Sequence, residues 1–285
     1  MITNANQILF RASSMGDIMT GTAKGWDVEN SLTCKKKLME IFADQVHRRR
    51  TEQDNKYTLK GKTVENDAIT LLTVITKKFY IKNETRLNDE YFTGEWDVND
   101  NPITETIDTK AKYSLVTFLE DTLNKKDKSY EYQGQVYMHL TGAKKHTIAN
   151  CLVNNTAKAI EKEKLFLSYS EGMTDEHGNE SPEYILKCQQ IERNHIFDIN
   201  LFNKRYPNYP FHSAVKFTPS GDMAYWHHDI PKEQRLFLFE PIIYDPLIIN
   251  AMKARIDDCR QWMNKNLFNV SEFASQPQEL AELSA

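Results

Sequence analysis

Apolar positions along this chain recur at two periods, and the switches between them mark its elements. After Asn30-Ser31, the residues Leu38, Ile41, Phe42 and Val46 keep the three-and-four spacing of a helix. Lys35–Lys37 and Arg48–Arg50 flank that stripe as basic runs. A second helix is predicted after Gly61, where Ala68, Ile69, Leu72, Ile75 and Phe79 repeat to about Tyr80. Two strand-like stretches follow, Tyr91–Val98 and Ile103–Lys110. The Asn99-Asp100-Asn101-Pro102 run between them predicts a turn, since Asn and Asp can bond the backbone and proline fixes φ. Helices are expected near Tyr113–Leu123 and Ser129–Leu140, then a strand from about His146 to Val153.

From Asn154 to His228 the periodicity weakens, and 175–179 and 206–210 read as loops. Arg235–Ile243 reads as a strand, and Asp245–Leu267 as one long amphipathic helix with Pro246 suited to its first turn. Residues beyond Ser271 are polar and expected to fray. The sum is an α/β fold in a single domain, with a mixed central sheet flanked by helices. Its core is expected at 8–154 and 235–268, with a helical and irregular insertion at about 155–230.

Of the 285 residues 40% are hydrophobic and 27% charged, which supplies a sizeable core and excludes wholesale disorder. No apolar run approaches the ~20 residues of a bilayer span. The amino terminus lacks the basic start and apolar stretch of a signal peptide. Cys34, Cys151, Cys188 and Cys259 form no CxxC pair, so reduced buried thiols are expected rather than a zinc site. A cytoplasmic location follows as the expectation. The net charge of -4 excludes an all-over basic coat, but it is uneven. Residues 1–164 hold 25 Lys plus Arg against 23 Asp plus Glu; residues 165–285 hold 11 against 17. The first part therefore remains compatible with a polyanionic partner.

Three acids and a lysine carry the chemistry. Glu65 shares a helix face with Ala68, Ile69 and Leu72, where a carboxylate needs a partner or a metal. Asp108 and Lys110 are two apart on a strand and leave the same sheet face. A hairpin can bring Asp97 close to Asp108, and two close carboxylates repel unless a cation sits between them. Oxygen-only ligands suit Mg²⁺ or Mn²⁺, which grips phosphate oxygens. A lysine beside such an ion can orient the attacking water and offset charge on the phosphate. An acid-x-lysine triplet alone is common, and a solvated surface hairpin is its plain alternative. Trp226-His227-His228-Asp229 is not read as a metal site, because adjacent strand histidines point to opposite faces.

The order of motifs is more specific. Gly61–Ala68 is followed by Phe92–Val98, then Ile107-Asp108-Thr109-Lys110, then Tyr130–Thr141 with its Tyr130-x-x-Gln133 spacing. This order resembles the PD-(D/E)xK nuclease superfamily and, within it, the lambda-exonuclease and YqaJ-type viral recombinase branch. Phe10–Met19 resembles that branch's opening helix. The resemblance covers about residues 8–154 and resumes loosely at Arg235–Leu267. It implies a Mg²⁺-dependent (or Mn²⁺-dependent) 5′-to-3′ exonuclease on double-stranded DNA ends, working with a single-strand annealing protein. It also implies a homo-oligomer such as a trimer, in a host cytoplasm if phage-encoded.

Carried over by residue, Asp97, Asp108 and the Thr109 carbonyl would hold metal and Glu65 would join directly or through water. Lys110 would be the catalytic lysine and Gln133 would position it, with Gln135 the substitute if the helix register differs. Ser13 would contact phosphate, with a helix N-cap as its plain role. Arg11 and Lys24 would grip the DNA backbone, and the two basic runs are candidate tracking patches. Motif three carries Asp108 where the branch usually has glutamate, and 155–230 matches nothing in the family pattern. An endonuclease, a Cas4-like or RecB-like module, and a catalytically inactive DNA-binding protein are the alternatives. The scattered cysteines lack the spacing of a Cas4-like iron–sulfur cluster.

Overall fold

The computed structural model describes residues 2–21, 27–49, 56–124, 128–170, 180–213, 216–217, 223–224 and 228–269. In chain order the first elements are β1 (Phe10–Arg11), α1 (Met15–Ile18), α2 (Leu32–Gln45) and α3 (Lys56–Thr76). Next come β2 (Ile81–Lys82), β3 (Leu87–Asn88), β4 (Phe92–Gly94), β5 (Val98–Asn99) and β6 (Glu105–Ala111). Then follow α4 (Leu115–Leu123), α5 (Lys128–Thr141), β7 (Lys145–Cys151), α6 (Ala157–Ser170), α7 (Pro182–His195) and α8 (Ile199–Arg205). A small β8 (Lys216–Phe217) and β9 (Met223–Ala224) pair precedes β10 (Leu236–Leu238), β11 (Ile242–Ile243) and α9 (Pro246–Met263).

The central sheet runs β10-β7-β6-β5-β2, and β11 pairs with β7 as well. β6 and β7 are parallel, in register from Glu105↔Lys145 to Ala111↔Cys151, and their other neighbours are antiparallel. A parallel pair needs a long crossover, and α4 and α5 supply it. Strand alternation sends Val98, Ile107 and Ala149 to one face, where they pack under Val64, Ala68 and Leu72 of α3. The opposite face belongs to α5. Gly134 lets α5 lie close, because a Cβ there would collide with the His146 ring. A mid-helix glycine costs about 1 kcal/mol, which this close approach offsets. The largest apolar cluster among the described residues joins β1, α1, α2, β4, α5 and α9 through Phe10, Met15, Leu38, Phe92, Val136 and Met252. Each fully buried side chain of that size contributes about 1.5–3 kcal/mol.

The expected mixed α/β architecture is present, with several differences in detail. The stretch Tyr91–Val98 is not one strand. β4 belongs to a separate three-stranded sheet, order β1-β4-β3, while β5 joins the central one. The chain breaks at Trp96, which turns inward and donates from Nε1 to Asn99 Oδ1 at 3.0 Å. The second helix starts at Lys56, not after Gly61, and ends at Thr76. Lys77 takes φ 55°, closing the helix in the left-handed region, and Phe79 lies outside it and exposed. The expected opening helix is partly extended: Phe10–Arg11 pairs in parallel with Phe92–Thr93, and only Met15–Ile18 is α-helical. Pro241 separates β10 from β11, so Arg235–Ile243 is two strands. Within 155–230, α6, α7 and α8 are regular helices, and Ile160, Ile196, Ile199, Phe202 and Tyr209 form a core of their own. The frayed-tail residues 271–285 and the loop 175–179 lie outside the described residues.

Candidate active site

The break between β4 and β5 creates the site. Val98 pairs with Ile107, so one more step of register would set Asp97 opposite Asp108. There the Asp97 chain peels away, and its side chain takes the place of a strand neighbour. Asp97 Oδ2 accepts from the Thr109 backbone N–H at 2.7 Å and from Thr109 Oγ1 at 2.8 Å. Asp108 is only 2% exposed, and its Oδ2 accepts from Lys110 Nζ at 2.7 Å. The Lys110 ammonium lies 5.3 Å from the centre of the Tyr130 ring at the start of α5.

This arrangement is electrostatically loaded. Burial, reinforced by the Asp108 charge, pushes the Asp97 carboxyl up to about 7. Burial works against the Lys110 ammonium, yet the charge of Asp108 and its hydrogen bond raise that pKa above the usual lysine value. Tyr137 also titrates far above its usual range, through burial and the Asp108 charge. Its hydroxyl accepts from Gln133 Nε2 at 2.7 Å, and Gln133 is 8% exposed. The aligned face of α5 thus aims Tyr130, Gln133 and Tyr137 at the two aspartates and the lysine.

The second oxygens of Asp97 and Asp108 have no hydrogen bond among the described residues. Two crowded carboxylates with open oxygens and one lysine fit a hard divalent cation. Among the described residues no three His, Cys, Asp or Glu side chains are grouped closely enough to hold a metal by themselves. The Thr109 carbonyl would have to be the third donor. Glu65 is not in direct contact with the pair. It bridges to Lys82 Nζ at 3.1 Å, and Lys82 pairs with Val98 beside Asp97. Glu65 therefore stands at the sheet edge, one residue removed from the centre.

Structural comparison places this geometry in a known fold. The phage related exonuclease from Haemophilus somnus 129PT aligns with TM-score 0.62 at 20% identity, covering 94% of this chain and 97% of its own. The alkaline exonuclease LHK-Exo from Laribacter hongkongensis aligns with TM-score 0.54 at 13% identity, covering 95% of each chain. Its complex with dAMP gives 0.53 at 13% identity, covering 95% of this chain and 94% of its own. The chain has the phage-type exonuclease fold. The resemblance read from the motif order is borne out at that level. No protein-family model matches the chain, and no curated protein matches it by sequence.

On this exonuclease fold the remaining expected residues are spread around the centre. Ser13 is exposed in a 3-10 turn that packs on α5, where Gly16 meets Ser129 so closely that a Cβ would clash. The plain N-cap alternative for Ser13 is not seen, since Ser13 lies inside that turn and the N-cap positions fall to Arg11 and Ser14. Arg11 bridges to Asp44 at 3.0 Å. Lys37 is shared by Asp17 and Glu40 at 3.2 and 2.7 Å. Lys24, Arg50, Trp226 and His227 lie outside the described residues. Gln135 turns away from the centre, donating to the Ile243 carbonyl and accepting from the Asp245 N–H. Gln133 is the glutamine that faces the site.

One residue of this face had no motif to announce it. Asn150 on β7 aligns with Lys110 on β6, so both leave the same sheet face. It is 0% exposed, and neither amide atom has a hydrogen-bond partner among the described residues. An orphaned buried amide costs about 1–3 kcal/mol. A polar residue set between Ala149 and Cys151 was the signal available in the sequence.

Proposed function

We propose that the chain is a metal-dependent deoxyribonuclease built on a PD-(D/E)xK core, acting as a 5′-to-3′ exonuclease on duplex DNA ends. The observation that carries this reading is the pairing of Asp97 with Asp108-x-Lys110 at the strand break, each carboxylate keeping an open oxygen. The fold likeness to two exonucleases supports it, and the dAMP bound by LHK-Exo supports a nucleotide product.

Asp97, Asp108 and the Thr109 carbonyl would hold Mg²⁺ or Mn²⁺, with Glu65 joining through water once freed from Lys82. Such an ion polarises the scissile phosphate and acidifies a bound water. Lys110, released from Asp108, sets its ammonium beside the charge that develops on the phosphate and orients the water. Tyr130 holds that ammonium from the ring side. Gln133, anchored on Tyr137, fixes the direction of approach. Asn150 offers its amide oxygen as the second partner for the released lysine. A single-strand annealing protein and a homo-oligomer such as a trimer complete the proposal, both drawn from the family resemblance.

Linear and closed-circular duplexes, each with Mg²⁺ or with EDTA, test the reading. Linear DNA should be digested only with Mg²⁺, and a 5′ phosphate should accelerate it. Closed circles should survive. Efficient cutting of circles would contradict the exonuclease assignment, and digestion in EDTA would contradict the metal.

A further inference from the structure

A separate cleft of about 930 Å³ lies among α3, α6 and α7. Along one wall α6 carries Lys158, Lys162 and Phe166 at successive intervals of four, hence on one helical face. Lys187 and Asn194 of α7 line it too. A smaller cavity of about 550 Å³ shares Tyr113, Glu163 and Asn194 with it and extends the space toward Arg193. Pockets of this size hold small organic ligands.

The floor is built of buried polar groups. The Tyr113 hydroxyl donates to Glu163 Oε1, and His195 Nε2 meets Glu163 Oε2 at 2.9 Å. Asn155 Nδ2 lies 2.5 Å from His195 Nδ1 and donates to the Tyr113 carbonyl at 3.3 Å. Its Oδ1 is buried with no hydrogen-bond partner among the described residues, in a residue 2% exposed. Lys60 enters from α3, donating from Nζ to the Lys112 carbonyl at 2.5 Å. Burial pushes its amine down to about 7, so an anion seated nearby would favour the charged form.

The charge of the cleft is one-sided. Glu163 is engaged by Tyr113 and His195, while Lys158 and Lys162 are exposed and make no ion pair among the described residues. The Lys112 carbonyl that holds Lys60 lies two residues beyond Lys110, about 7 Å of extended chain. A ligand here would be anionic and carry an apolar or aromatic body.

We propose that this cleft binds a nucleotide unit of DNA, with its phosphate on Lys158 and Lys162 and its base against the Phe166 and Tyr113 rings. The proposal rests on the nuclease reading of the neighbouring centre. Stacking on an aromatic wall beside lysines suits any base. The unit could come from a free mononucleotide product or from a DNA strand.

The test is binding by the full chain in EDTA, using dAMP and a fluorescein-labelled twelve-residue oligothymidylate as probes. The comparison is wild type, Lys158→Glu with Lys162→Glu, and Lys110→Ala. Binding of dAMP alone would assign a product site, and binding of the oligonucleotide would assign a strand site. In either case the paired lysine variant should bind at least about tenfold more weakly, with a shallower salt dependence. Both exchanged lysines are exposed, so an unchanged circular-dichroism melt is expected alongside. Lys110→Ala should bind as wild type does. Wild-type affinity in the lysine variant, or loss only in Lys110→Ala, would overturn the proposal, as would no binding of either probe. A failed nuclease reading would show separately, as a wild-type protein that binds the probes but digests no DNA with Mg²⁺.

Discussion

Two lysine–acid pairs with buried acids in this molecule look alike in outline and differ in what surrounds them. Lys164 and Glu192 meet at 2.5 Å between α6 and α7, with side chains 6% and 0% exposed. Glu192 also accepts from the backbone N–H groups of His212 and Ser213 at 2.8 and 2.7 Å, and from the Ser213 hydroxyl. Lys164 has a further partner in His212 Nδ1 at 3.0 Å. Every strong acceptor and donor is answered, and the pair ties residues 212–213 to the helices. Lys110 and Asp108 meet at 2.7 Å, but Asp108 and Asp97 each keep an open oxygen, Asp97 is held near neutrality, and Asn150 beside them is orphaned. A buried charge network that is fully satisfied serves the fold. One left incomplete carries a cost that folding alone does not explain, and a ligand or reaction is what would complete it.

Exchanges at the two pairs should therefore separate activity from stability. Asp108→Asn should lower DNA cleavage by roughly 10³-fold or more while leaving the thermal melt near wild type. Single-turnover digestion beside a calorimetric scan would measure both, and a collapsed melt with normal cleavage would reverse the assignment. Glu192→Ala should do the opposite. It leaves the Lys164 ammonium buried without its acid and should cost about 3–5 kcal/mol in urea unfolding. Cleavage per folded molecule should persist.

A pH series sharpens the contrast. The Asp97 carboxyl titrates about 7 in the folded protein and near 4 when unfolded. The folded state then holds the extra proton between those values, so metal-free stability should fall as pH rises from about 4 to about 7. Asp97→Asn should flatten that slope, and Mg²⁺ should raise the melting temperature more at pH 8 than at pH 5. A slope untouched by Asp97→Asn would remove the carboxyl from the account. The smallest effect is expected at Asn150→Ala, which removes an orphaned amide. Stability should stay level or rise, while cleavage falls up to about tenfold through a less well-held Lys110.

The parts of the site written in local pattern were legible in advance. Asp108 and Lys110 share a strand face by parity, and Tyr130, Gln133 and Tyr137 share a helix face by spacing, so neither needed tertiary knowledge. The break at Trp96 was not legible. Alternation says that residues are extended but not which sheet they join, and a buried indole bonded to Asn99 decided it. The Glu65–Lys82 bridge joins a helix to an edge strand across 17 positions and left no periodic trace. α7 was hidden for a different reason. Its buried stripe is Tyr184, Cys188, Glu192 and His195, so half of the inward positions are polar and the apolar period is masked. Long-range pairing of polar groups is what the sequence pattern left unread.

The most direct test is Lys110→Ala assayed with Mg²⁺ on a linear duplex carrying a 5′ phosphate. The account predicts that the variant folds, binds DNA as wild type does, and cuts at least about 10²-fold more slowly. Wild-type cleavage by that variant would contradict the assignment of Asp97, Asp108 and Lys110 as the reactive centre.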